Sequence, residues 1–207
     1  MRRPPIAALL CTLPAALSCA VLSAPVPGAA PRAEASAPPA VGLEPAPPDA
    51  ARVRQVHQFL ARRRTALTSH EVAQLAHAIV RESRRHDLDP WLVLSVMAVE
   101  SGFYNFAVSQ VGALGLMQVM PATGEELALR LDVAWHGPHT LFDPIANVRL
   151  GVAYLREMKD RYEVLPVALA AYNWGPGRID RKLRHGVPLP EEYARLVLES
   201  YGANRRS

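Results

Sequence analysis

DPWLVLSVMAVE occupies residues 89–100. Aspartate followed by proline is a helix start. The aspartate side chain accepts from the first unpaired backbone N–H groups, and proline needs no partner at the first helical position. The run behind it is apolar nearly all round, which marks a helix enclosed on every side rather than docked by one face. Such a helix needs neighbours, and they can be found on both sides of it.

Towards the N-terminus, Thr68-x-x-Glu71 forms a capping box. Behind it Val72, Leu75, Ala76, Ile79 and Val80 recur at helical spacing. Residues 51–64, ARVRQVHQFLARRR, predict a basic amphipathic helix with Val53, Val56, Phe59 and Leu60 on one side and solvated arginines on the other. Towards the C-terminus, Asp143-Pro144 repeats the start signal, followed by Ile145, Val148, Val152, Leu155 and Met158. Glu125 and Glu126 look like first-turn charges. Pro166 opens a short apolar helix that ends near Asn173 and is broken at Gly175-Pro176-Gly177. Residues 178–185 and 190–201 read as two more short helices. No alternating strand of useful length appears. The expected architecture is mainly α, a single domain of about seven helices over residues 51–207.

The first fifty residues have a different character. Arg2 and Arg3 precede an uncharged apolar segment from Ile6 to Leu22, interrupted by Pro14. This is the layout of a secretory signal peptide, expected over residues 1–20. Ser18-Cys19-Ala20 supplies a small-x-small cleavage site. A later site after Ala24 is disfavoured by Pro25. A second reading lipidates Cys19 and anchors the protein to a membrane. Residues 21–50 are rich in Pro and Ala, which cannot bury a core and predict an extended linker. The chain has 207 residues, a net charge of +4 and two cysteines, Cys11 and Cys19. Both cysteines lie in the apolar segment, so the folded part has neither a disulfide framework nor thiol chemistry. The basic balance favours an anionic partner. An export signal, with no zinc-finger or RNA-binding signature, argues against nucleic acid and for the periplasm.

Glu100 is the residue that calls for chemistry. It closes the most apolar helix, where burial and the helix C-terminus both disfavour its charged form. A carboxyl kept protonated near neutral pH is what a general acid requires. Gly102, Gly112 and Gly115 follow closely, with Ser109 and Gln118 among them. Glycines allow tight turns, and the neutral Ser and Gln groups suit hydroxyls and acetamides. Neither a phosphate loop nor a serine-hydrolase elbow is present. His136 and His139 form the only close histidine pair and lack a third ligand, so they read as surface. No metal and no cofactor are expected.

Residues 99–124, VESGFYNFAVSQVGALGLMQVMPATG, resemble the central motif of the soluble lytic transglycosylase (SLT) domain family, which has a lysozyme-like fold. Glu100, Ser101, Phe103, Ala107, Ser109, Gly112, Ala113, Gly115, Leu116, Met117, Gln118, Met120, Pro121 and Thr123 stand at the matching positions. Phe142-Asp143-Pro144, Asn147, Gly151, Tyr154 and Leu155 are similar to the middle motif, and residues 170–177, AAYNWGPG, to the Ala-Tyr-Asn motif. Asn105 stands where the family often has proline. Tyr193 and Val197 align with the later part of the C-terminal motif. Leu189 and Pro190 replace the Glu-Thr of that motif, which leaves Tyr193 without an assigned role.

The resemblance implies a peptidoglycan lytic transglycosylase with Glu100 as its single catalytic acid and base. Such an enzyme cleaves the β-1,4 bond between N-acetylmuramic acid and N-acetylglucosamine and leaves 1,6-anhydromuramoyl ends. It further implies that Ser109, Gln118, Tyr172 and Asn173 line the sugar site. There Tyr172 would steady Glu100 through its hydroxyl or stack on a sugar ring. Trp174 fits either core or cleft. The implied partner is the peptidoglycan glycan strand, met by a monomer. An outer-membrane or secretion-system association remains open, as do a hydrolytic lysozyme and a non-catalytic wall-binding accessory.

Overall fold

The computed structural model describes residues 48–205. The expected export signal, its cleavage positions, Cys19 and the linker up to residue 47 lie outside the described residues. Eight α-helices and one short 3-10 helix make up the described part: α1 Pro48–Leu60, α2 Ser69–Arg85, α3 Pro90–Ser101, α4 Pro121–Arg130, the 3-10 helix Pro138–Phe142, α5 Pro144–Arg161, α6 Leu165–Trp174, α7 Pro176–Arg184 and α8 Glu192–Asn204. Among the described residues there is no strand, only two isolated bridges, Val108 to Leu114 and Leu114 to Val119.

The start signals read from sequence operate as expected. Thr68 accepts from the Glu71 N–H while the Glu71 carboxylate accepts from the Thr68 N–H, so both halves of the capping box are made. Asp89 caps Trp91, and Asp143 caps Ile145 and Ala146. Some boundaries differ. Helix α1 starts at Pro48 and stops at Leu60, so Arg62, Arg63 and Arg64 lie in the following turn, where the Arg63 guanidinium stacks 4.3 Å from the Phe59 ring centroid. Helix α4 raises the helix total above the expected seven. It begins at Pro121 with no side-chain cap, which places Glu125 and Glu126 beyond its first turn. Gly175, at φ +79, ends α6 without a loop, because Pro176 starts α7 at once.

Helix α3 is central. It packs along α8 and against α2, while α2 also packs on α1 and α5, and α5 on α6. Leu94 and Met97 of α3 are fully buried with Leu75, Ile79, Leu116, Met117, Leu150, Leu155 and Leus from four other segments. This enclosure explains why the stretch reads as apolar all round: Leu92 to Met97 are buried without a break, and only the two ends of the helix, Pro90 and Trp91 and then Ala98, Val99 and Glu100, are partly exposed.

Candidate functional site

The end of α3 is fixed by its neighbours. Ser101 Oγ donates to the Leu116 carbonyl at 2.8 Å, tying the helix end to the motif that follows. Gly102 at φ +58 turns the chain, and the next residue, Phe103, is buried. Asn105 is buried. Its Nδ2 donates to the Phe142 carbonyl at 2.8 Å, and its backbone N–H donates to the Thr65 carbonyl at 3.1 Å.

Residues 107–119 fold back on themselves as one wall of a cleft. Leu114 and Val119 exchange backbone hydrogen bonds at 3.0 and 3.1 Å. Asn147, wholly buried on α5, holds the wall by three bonds. Its Oδ1 accepts from Met117 N at 2.8 Å, and its Nδ2 donates to the Leu114 and Leu141 carbonyls at 2.9 Å each. Gly115, at φ +78, leaves no room for a side chain, because a Cβ would collide with the Leu141 carbonyl and the Asn147 amide.

The cleft has a volume of about 450 Å³. All five residues singled out from sequence, Glu100, Ser109, Gln118, Tyr172 and Asn173, line it. Gln118, at φ +49, gives both amide hydrogens to backbone, to Ala107 O at 3.1 Å and Gly115 O at 2.9 Å. What it offers the cleft is therefore a carbonyl oxygen, an acceptor. Ser109 Oγ accepts from Ala113 N at 2.9 Å, which leaves its hydroxyl hydrogen to donate. Asn173 is exposed at the end of α6 and offers both amide functions.

The hydroxyl contact to Glu100 expected of Tyr172 is made instead by Tyr193, to which the sequence assigned no role. The Tyr172 hydroxyl donates to the Met117 carbonyl at 2.8 Å and serves as a strut between α6 and the wall, its ring 5.2 Å from that of Tyr154. It does not bond Glu100. Tyr193, on α8, donates to Glu100 Oε1 at 2.6 Å. Its place in the C-terminal motif was the available signal for this role.

Burial raises the Glu100 pKa from 4.5 to about 7, and the Tyr193 hydroxyl bond, which favours the carboxylate, offsets only part of that rise. Burial also pushes the Tyr172 and Tyr193 hydroxyls well above the ordinary tyrosine range, so both stay neutral donors. Among the described residues no other carboxylate and no cation lines the cleft. A larger hollow of about 620 Å³ lies between α6 and α8, but its lining is mainly apolar, and Arg195 at its mouth is ion-paired with Glu199. It offers no comparable chemistry.

The profile of the transglycosylase SLT domain matches residues 77–187. A transglycosylase of Enterobacteria phage PRD1 is 38% identical over 114 residues, covering 49% of this chain and 40% of the phage protein. Membrane-bound lytic murein transglycosylase C of Mannheimia succiniciproducens is 36% identical over 115 residues, covering 50% of this chain and 32% of that protein. The chain therefore spans well under half the length of these relatives. Among solved structures, an inactive glutamate-to-glutamine mutant of lytic transglycosylase Slt from Pseudomonas aeruginosa superposes with a TM-score of 0.56 at 29% identity, over 62% of this chain and 23% of that one. The 70 kDa soluble lytic transglycosylase of Escherichia coli shares the fold at a TM-score of 0.56 and 22% identity, over 76% of this chain and 30% of that one.

Proposed function

Because the chain belongs to the transglycosylase SLT domain family, we propose that it is a peptidoglycan lytic transglycosylase that cuts between N-acetylmuramic acid and N-acetylglucosamine without consuming water. The observation that carries this reading is the isolation of Glu100: one carboxyl in the cleft, protonated up to about pH 7, with a neutral tyrosine hydroxyl as its hydrogen-bond partner.

The glycosidases that use a pair of carboxylates assign one as acid and the other as base or nucleophile. Here one group serves twice. Protonated Glu100 gives its proton to the bridging oxygen as the C1–O bond breaks and the N-acetylglucosamine hydroxyl leaves. Positive charge develops at C1 of the muramoyl residue, where the substrate's own acetamide oxygen can share it. Glu100 is now a carboxylate, steadied by Tyr193. It removes the proton from the muramoyl O6 hydroxyl as that oxygen bonds to C1. The proton returns to Glu100, and the strand ends in a 1,6-anhydro ring. Attack from within the same sugar replaces a bound nucleophile by proximity. The Gln118 carbonyl, the Ser109 hydroxyl and the Asn173 amide are suited to sugar hydroxyl and acetamide groups, and Tyr172 holds the two walls together.

The relatives' names and the mutant Pseudomonas structure, in which a glutamate-to-glutamine change accompanies inactivity, support the same reading. With it go the export signal over residues 1–20, the Pro/Ala-rich linker, a periplasmic site of action and a monomer working on glycan strands. The test is digestion of purified sacculi by the purified protein, followed by mass spectrometry of the soluble fragments. Fragments lighter by one water than hydrolysis products, absent with Glu100→Gln, are expected. Reducing ends would indicate a lysozyme, and intact sacculi a wall-binding protein.

A further inference from the structure

Trp174 departs from what an apolar helix end usually does with an indole. It closes α6, lines the same cleft as Glu100 and remains 41% exposed. One face of its ring is covered by the Arg178 guanidinium, whose Cζ lies 4.1 Å from the ring centroid. Arg178 is itself exposed and belongs to α7, PGRIDRKLR, which carries Arg178, Arg181, Lys182 and Arg184 against the single carboxylate of Asp180. That carboxylate is taken by Arg161 and the Tyr162 hydroxyl. Arg178 and Arg181 have no ion-pair partner among the described residues. Three positions apart on a helix, they share a face.

We propose that Trp174, Arg178 and Arg181 form a subsite for an anionic saccharide at the rim of the cleft. A sugar ring stacks on the open face of the indole, and carboxylates borne by the muramoyl residue's peptide pair with the two guanidinium groups. The charge pattern supports this division of labour. Among the described residues no cation lines the cleft, and the two arginines stand on α7, whose first residue, Pro176, belongs to the cleft lining. Arginine suits the task because its planar fork matches a carboxylate and also stacks on an aromatic face. The subsite rests on the peptidoglycan reading of the cleft and sharpens it: the enzyme should favour peptide-bearing strands over neutral ones.

The test uses Glu100→Gln protein, which binds without turnover, and two soluble ligands of equal sugar length: an N-acetylglucosamine oligomer, which is neutral, and a peptide-bearing peptidoglycan fragment. Binding is read by titration calorimetry. At low salt the peptide-bearing fragment is expected to bind about tenfold more tightly, with the preference shrinking as salt rises. Adding Arg178→Ala and Arg181→Ala should erase the preference and leave the neutral oligomer's affinity in place. Adding Trp174→Ala should weaken both ligands about fivefold. Retention of the preference in the double arginine variant would overturn the subsite and leave the assignment of the cleft standing. Failure of both ligands to bind any variant would overturn the assignment of the cleft, and the subsite with it.

Discussion

The last turns of α2 and α3 each carry a glutamate withdrawn from solvent, and their surroundings differ in kind. Glu82 is 2% exposed and sits against two guanidinium groups, Arg81 Nε at 2.8 Å and Arg85 at 4.0 Å. Glu100 is partly open to the cleft, has no cation beside it and meets only the neutral hydroxyl of Tyr193. Burial alone does not make a carboxyl into an acid. A buried carboxyl tied to guanidinium groups is held by its ion pairs and faces no substrate. A desolvated one without them holds its proton near neutral pH, and an opening towards substrate lets it pass that proton on.

The largest way to sharpen this contrast is to neutralise each glutamate in turn. Glu100→Gln should lower turnover on peptidoglycan by at least about 10³-fold, measured as release of soluble fragments, with the fold intact by circular dichroism. Glu82→Gln should leave turnover unchanged, at a cost in stability on the order of 1 kcal/mol. Equal losses of activity in the two variants would dissolve the distinction.

Tyr193→Phe probes what the neutral partner contributes. Its hydroxyl bond lowers the Glu100 pKa, so its removal should raise that pKa further. Because the reaction begins from protonated Glu100, activity should fall as pH rises through about 7 in the parent, and this fall should move to higher pH in the variant. Turnover should drop about tenfold, since the carboxylate formed midway loses its donor. The pH profile of kcat/KM separates this from a mere structural effect.

The same pKa has a stability consequence. Between its ordinary value of 4.5 and about 7, the folded protein keeps a proton on Glu100 that the unfolded chain releases. Stability from this group is therefore complete below 4.5 and is lost as pH rises through about 7. Glu100→Gln should melt like the parent at acid pH and above it at pH beyond 7, by on the order of 1–3 kcal/mol. Thermal unfolding at both ends of the range reads this directly. Smaller still is Tyr172→Phe, which removes one buried bond and should cost about 1 kcal/mol without moving the pH profile.

The sequence made the local features of this site readable and left the distant ones open. Capping at Thr68, Asp89 and Asp143 depends on residues two or three positions away, and each cap forms as written. Glu100, Ser109 and Gln118 fall within one contiguous motif. Helix α4 gave a fainter signal because it starts on proline with no side-chain cap. The roles of the two tyrosines were hidden because their partners are far away in sequence: Tyr193 reaches Glu100 across 93 positions and Tyr172 reaches Met117 across 55. Both distances are set by how α8 packs on α3 and how α6 packs on α5 and α8, which no local pattern encodes. Trp174 stood between core and cleft for the same reason, until the end of α6 was seen to open onto the site.

The most direct measurement is a titration of the glutamate side-chain carboxyls by carbon-detected NMR, with Glu100→Gln identifying the resonance of Glu100. A midpoint near pH 7 is expected for that carboxyl, moving upward in Tyr193→Phe. A midpoint in the ordinary carboxylate range would mean that Glu100 is ionised when substrate arrives, and would contradict its role as the acid that begins the reaction.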